Sequence, residues 1–199
     1  MQDVSEIVPE LSAYQYSPLP PRPNNIRLLR ILPARGDTAP IRCHLFDYSL
    51  SDQRKGGHLY EALSYVWGIT DKSQTIFIDD QYLAVTANLH EALLHLRDTA
   101  IERIVWIDAI CINQADLKER GEQVQLMAKI YSHAACVVVW LGQASTHSDI
   151  MLETIRRAAS DGTFPRCHAS VWAGIEEVLG RPWFRRIWVS RHSRTILIV

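Results

Sequence analysis

Residues Arg103–Gly142 read RIVWIDAICINQADLKERGEQVQLMAKIYSHAACVVVWLG, and their hydrophobic pattern decides the fold class. RIVWI is an apolar run, and CVVVWL (Cys136–Leu141) is a second one rich in β-branched residues. Continuous apolar runs of this length suit strands covered on both faces. Between them Leu117, Gly121, Val124, Ala128 and Tyr131 recur at helical spacing, while Lys118, Glu119, Glu122, Gln125 and Lys129 fall mostly off that stripe. An amphipathic helix with the first set inward is the expectation. A strand, a helix and a strand joined by a right-handed crossover lie parallel in one sheet, with the segments ending in Ile107 and Leu141 side by side. DAICINQ (Asp108–Gln114) then follows the carboxyl end of a parallel strand, the edge where open α/β sheets bind ligands. Asp108 is thereby a candidate catalytic residue, although an aspartate after a strand also commonly caps the following turn.

Working outward, IRLLRILP (Ile26–Pro33) and IRCHLFDYSL (Ile41–Leu50) read as two strands separated by the turn-forming ARGDTAP, an amino-terminal hairpin elaboration. YEALSYVWG (Tyr60–Gly68) reads as a strand ending in an aromatic-glycine turn. TIFIDDQYLAVT reads as a second hairpin turning at Asp79 and Asp80. In NLHEALLHLRD, Asn88 is placed to cap a helix and Glu91 to complete a capping box, with Leu89, Ala92, Leu93 and Leu96 at helical spacing. Two further helices are expected over Asp149–Ala159, with Met151, Ile155 and Ala158 on one face, and over Ser170–Leu179, with Val171, Ile175, Val178 and Leu179 inward. The first 25 residues end in the proline-rich YSPLPPRPNN and read as an extended lead-in to a single domain over residues 26–199.

The 199 residues carry 21 basic and 22 acidic side chains, a formal charge of -1. That balance offers no general attraction to nucleic acid or to an anionic membrane. Cys43, Cys111, Cys136 and Cys167 form no Cys-x-x-Cys pair, and the eight histidines show no zinc-ligand spacing, so no metal is expected. The amino terminus lacks the pattern of a signal peptide, and a cytoplasmic protein with reduced thiols is the expectation.

Three blocks, YEALSYVWG, the whole of Arg103–Gly142, and RPWFRRIWV (Arg181–Val189), resemble the signature blocks of the fungal heterokaryon incompatibility (HET) domain, in order and at typical separations. The resemblance implies an effector or signalling module of fungal non-self recognition that leads to cell death; self-association is the expected mode of action, and the protein partner of the incompatibility system is left open. The order of elements is also similar, more distantly, to Toll/interleukin-1 receptor (TIR) domains. The expected fold is therefore α/β, TIR- or flavodoxin-like, with a mainly parallel central sheet and flanking helices.

Some TIR domains hydrolyse NAD, so the second resemblance implies NAD as a substrate and a carboxylate near the ribose. HET domains usually continue from the third block to a glutamine and a glutamate, whereas this chain runs Val189, Ser190, Arg191, His192. A histidine cannot supply the negative charge that a cation-like sugar transition state requires, and the end after Val189 is expected to be divergent or truncated. Glu61 is a second catalytic candidate, in a strand beside the proposed ligand edge, or else a carboxylate paired to an arginine. Trp67, Gly68, Asn113, Gln114 and Arg186 are candidate ligand-binding residues, with Arg181 as an alternative cation. For Asn113 and Gln114 the competing role is to tie down the loop backbone, and for Trp67 and Gly68 to form a packed turn.

Overall fold

In the computed structural model, residues 12–36, 38–51, 59–69, 71–163, 168–185 and 196–198 are described. β1 (Asn25–Ile31) is paired on both sides, antiparallel to β2 (Arg42–Ser49) and antiparallel to β6 (Arg103–Trp106). The expected hairpin is the first of these pairs. β4 (Gln74–Ile78) and β5 (Gln81–Val85) form the second hairpin, and β4 joins β2 in parallel. On the other side of β6 come β3 (Glu61–Ser64), β7 (Val137–Val139) and β8 (Ile196–Ile198), each pairing parallel to its neighbour. The eight-stranded order is β5-β4-β2-β1-β6-β3-β7-β8, an α/β fold whose parallel block is β6-β3-β7-β8.

The expected adjacency of the strands ending at Ile107 and Leu141 needs a correction. They do run in the same direction, but β3 lies between them, with Ala62 paired to both Trp106 and Val137. β3 precedes both in sequence and fills a gap that the strand-helix-strand reading treats as closed. Its residues Ala62, Leu63 and Ser64 are all buried, as a strand flanked on both sides must be.

Among the described residues five α-helices accompany the sheet: α1 (Ala87–Leu96), the single turn α2 (Asp108–Cys111), α3 (Leu117–His133), α4 (Thr146–Ser160) and α5 (Ala169–Gly180). A short 3-10 helix, Pro182–Arg185, follows them. α1 begins two residues earlier than the capping-box pattern indicates. Thr86 is the N-cap, its hydroxyl accepting from the Leu89 N–H. Asn88 is thereby released for another task. Its carboxamide donates to the Val66 carbonyl at 2.6 Å and accepts from the Trp140 indole at 2.9 Å, joining the turns after β3 and β7.

α3 departs most from its expected packing. Leu117, Gly121, Val124 and Ala128 are exposed, and the buried residues are Glu119, Gln123, Ile130 and Tyr131. The reason lies in β1. Arg27, the second residue of IRLLRI, is 3% exposed and sends its guanidinium into the protein, so the facing helix must present oxygen acceptors. Glu119 supplies a bidentate partner at 2.6 and 3.0 Å. Gln123 donates to the Asn25 carbonyl at 2.8 Å.

α4 and α5 form a hairpin with a small apolar cluster of its own around Met151, Val171 and Val178. Their close crossing demands Gly174, since a Cβ there would lie 2.3 Å from the His147 carbonyl oxygen. Ser145 caps α4 in a reciprocal box with Ser148. Ile155 and Leu179, expected inward, are exposed.

Removing one partner of a buried pair strands the other charge, so Arg27→Ala is expected to cost about 3–5 kcal/mol. Arg27→Met combined with Glu119→Leu should cost distinctly less, because neither charge is then buried alone. Urea denaturation of the two variants beside the parent chain measures the difference. Equal losses would show that the pairing itself contributes nothing.

Candidate functional site

The parallel direction of β3 and β6 brings two turns to one edge of the sheet, Tyr65–Gly68 and Asp108–Gln114. Between these turns, β5 and the start of α1 lies a cleft of about 420 Å³. Its remaining wall is the segment Ser12–Ser17, which runs alongside β5 as a strap. Tyr14 donates its N–H to the Tyr82 carbonyl at 2.8 Å, and Tyr82 returns one to Ser12 at 3.0 Å. Farther along, the Tyr16 hydroxyl donates to the Ile110 carbonyl at 2.7 Å, and its ring lies against the Arg27 guanidinium, 5.2 Å from centroid to Cζ. Burial pushes the Tyr14 and Tyr16 phenols up from the usual range, so both remain neutral hydroxyls.

Trp67 and Asp108 meet at this edge. The indole N–H donates to Asp108 Oδ2 at 3.0 Å, while Oδ1 accepts the Ala109 N–H at 2.8 Å. Asp108 therefore opens α2 and holds a half-exposed tryptophan in one orientation. Gln114 donates to the Asp108 carbonyl at 2.8 Å, and Asn113 Oδ1 accepts from the Ala115 N–H at 3.2 Å. Both carboxamides fasten the loop and line the cleft, as does Trp67. Gly68 shapes the turn: its φ of 70° lies in the left-handed region.

Loop 108–116 is positioned from beneath. Arg27 donates to the Cys111 carbonyl at 3.2 Å and Glu119 Oε1 accepts the Asn113 N–H at 2.7 Å. Asp116 caps α3 by accepting from the N–H groups of Lys118 and Glu119. Cys111, three residues from Asp108, has its thiol pushed up to about 12 by burial. It is protonated at neutral pH and is no nucleophile.

Glu61 is not part of this arrangement. It opens β3, level with Val105 of β6, and so lies at the other end of β3 from Trp67 and outside the lining of the cleft. Its carboxylate is bound by Arg103 through Nε and through Nη2, the latter at 3.1 Å, and the Cys136 thiol approaches at 3.6 Å. Arg181 is likewise occupied. It donates to the carbonyls of Leu141 and Gln143 at 3.2 and 3.0 Å and pairs with Glu177 at 2.9 Å, clamping the loop after β7. Trp183 anchors the 3-10 helix by donating to Ser64 Oγ at 2.9 Å. Arg186 and His192 lie outside the described residues.

Sequence reasoning missed the strap. Tyr14 and Tyr16 alternate in a polar lead-in, AYQYSP, and that alternation beside an edge strand is the one signal that could have marked them. Among the described residues no group of three or more His, Cys, Asp or Glu is placed to hold a metal ion, and no helix is long and apolar enough to cross a membrane. With Asp108 bound to Trp67, the lining combines aromatic, aliphatic and amide groups with Lys72 and Thr86, a set able to bind and orient a small molecule.

Residues 60–191 match the family described as Heterokaryon incompatibility protein (HET). That region contains the parallel strands β3, β6 and β7 and both turns of the cleft; the strap precedes it. A curated relative, Heterokaryon incompatibility protein 6, OR allele, of Neurospora crassa, is 35% identical over 150 residues, 69% of this chain and 22% of that protein. The chain thus spans about a fifth of the relative's length. No solved structure matches it.

Asp108→Ala is expected to leave the fold intact at a cost of about 1–2 kcal/mol for the lost acceptor, and to loosen Trp67. Acrylamide quenching measures this, with the Trp67 signal taken as the difference between chains with and without Trp67→Phe. Greater quenching in the Asp108→Ala background is the predicted result.

Proposed function

The chain belongs to the heterokaryon incompatibility (HET) family, and from that premise we propose that it is an effector or signalling domain of fungal non-self recognition. In this reading it acts in the cytoplasm, through self-association, and its activation leads to cell death. The observation that carries the role is the family match over residues 60–191, together with the incompatibility named for the Neurospora relative.

Self-association draws support from α4 and α5. Trp172 and Leu179, two turns apart on one face of α5, are 56% and 58% exposed, and Ile155 on α4 is also exposed. Apolar side chains so placed on the outside of a helical hairpin suit burial against a second copy. Light scattering over a range of concentrations tests this. The parent chain is expected to gain mass with concentration, and Trp172→Glu with Leu179→Glu to remain monomeric with an unchanged thermal melt. A parent chain that stays monomeric throughout would contradict self-association.

A second reading, hydrolysis of NAD, is favoured by the position of the cleft at the carboxyl edge of parallel strands. Against it stand the engagements of the two candidate carboxylates: Asp108 is held by Trp67 and Glu61 by Arg103, away from the cleft. The unmodified chain is expected to release no nicotinamide from NAD. Steady release by the purified chain would make it an enzyme.

A further inference from the structure

We propose that the cleft beneath the strap is a binding site for a small, planar aromatic molecule carrying an anionic substituent. Its walls combine Tyr14, Tyr16, Tyr65 and Trp67 with the aliphatic Leu83 and Leu89. Aromatic rings prefer aromatic partners in offset or edge-on geometries, beyond what area burial alone provides. The rings are fixed before any ligand arrives. Trp67 is held by Asp108 and Tyr16 by the Ile110 carbonyl, and Tyr14 stands edge-on to Tyr16 with centroids 5.0 Å apart. Preorganised walls reduce the ordering cost of binding.

The charge of the lining selects the substituent. No carboxylate is among the lining residues described, and Lys72 is the one charged side chain there. Thr86 and Leu89, at the first turn of the ten-residue helix α1, lie on the same wall. A helix start carries partial positive charge, so two separate features favour an anion. Asn113 and Gln114 add neutral amides that orient polar edges of the ring. A volume of about 420 Å³ is at the small end of ligand pockets, room for one or two fused rings. Since Tyr14 and Tyr16 precede the matched residues 60–191, one wall of the site is supplied from outside that region.

Titration calorimetry on the full chain tests the proposal with three probes: 2-naphthoate, its saturated counterpart decahydro-2-naphthoate, and the neutral 2-naphthalenemethanol. The parent chain is expected to bind 2-naphthoate about tenfold more tightly than the saturated acid, the scale of a strong aromatic pairing. Trp67→Leu should abolish that aromatic preference. Lys72→Gln, at an exposed position that leaves folding untouched, should keep it and weaken the preference for the acid over the alcohol. Absence of 2-naphthoate binding, equal affinity for the aromatic and saturated acids, or binding indifferent to both substitutions would overturn the proposal.

Discussion

A guanidinium inside a protein costs several kcal/mol in lost hydration unless its N–H groups meet acceptors, and Arg27 meets them in three structural segments. It donates to Ser17 in the strap, to Cys111 at the end of α2, and to both carboxylate oxygens of Glu119 on α3. Glu119 passes the connection on by accepting the Asn113 N–H. The strap, the loop after β6 and the first turn of α3 are thereby referred to one point on β1. Two walls of the cleft, the strap and the loop after β6, are tied to that point, while backbone pairing to β5 also holds the strap and Asn88 also holds the turn after β3.

This dependence explains which features were legible in the sequence. β1, β2, β6, β7 and the β4-β5 hairpin could be read because apolar and β-branched runs record burial directly. The direction of β6 and β7 followed from the helix between them. The insertion of β3 could not be read, because strand order is a tertiary choice that local periodicity does not encode. The inward face of α3 was misjudged for a related reason. A period count assigns Leu117 and Val124 to the core, and they are exposed; the chain buries Glu119 and Gln123 to satisfy Arg27 and the Asn25 carbonyl. Polar burial is invisible to a hydrophobic pattern unless both partners are seen together.

The candidate site was legible in part. Asp108, Asn113 and Gln114 follow a parallel strand, and the general rule for α/β sheets is enough to single out that loop. Trp67 joins them because β3 ends at the same edge, which the reading of YEALSYVWG as a strand anticipates. Glu61 sits at the other end of the same strand, since the first and last residues of a strand face opposite edges of the sheet. The tyrosines of the strap were missed because their wall is assembled by backbone pairing to β5 and by the reach of Arg27, neither of which leaves a local motif.

Hydrogen exchange at the Asn113 amide in Glu119→Gln tests the central claim most directly. If Arg27 and Glu119 locate the loop, exchange at Asn113 and across residues 108–116 should accelerate more strongly than exchange at the amides of β1 and β6. Unchanged exchange at Asn113, or an equal acceleration throughout the sheet, would contradict the account.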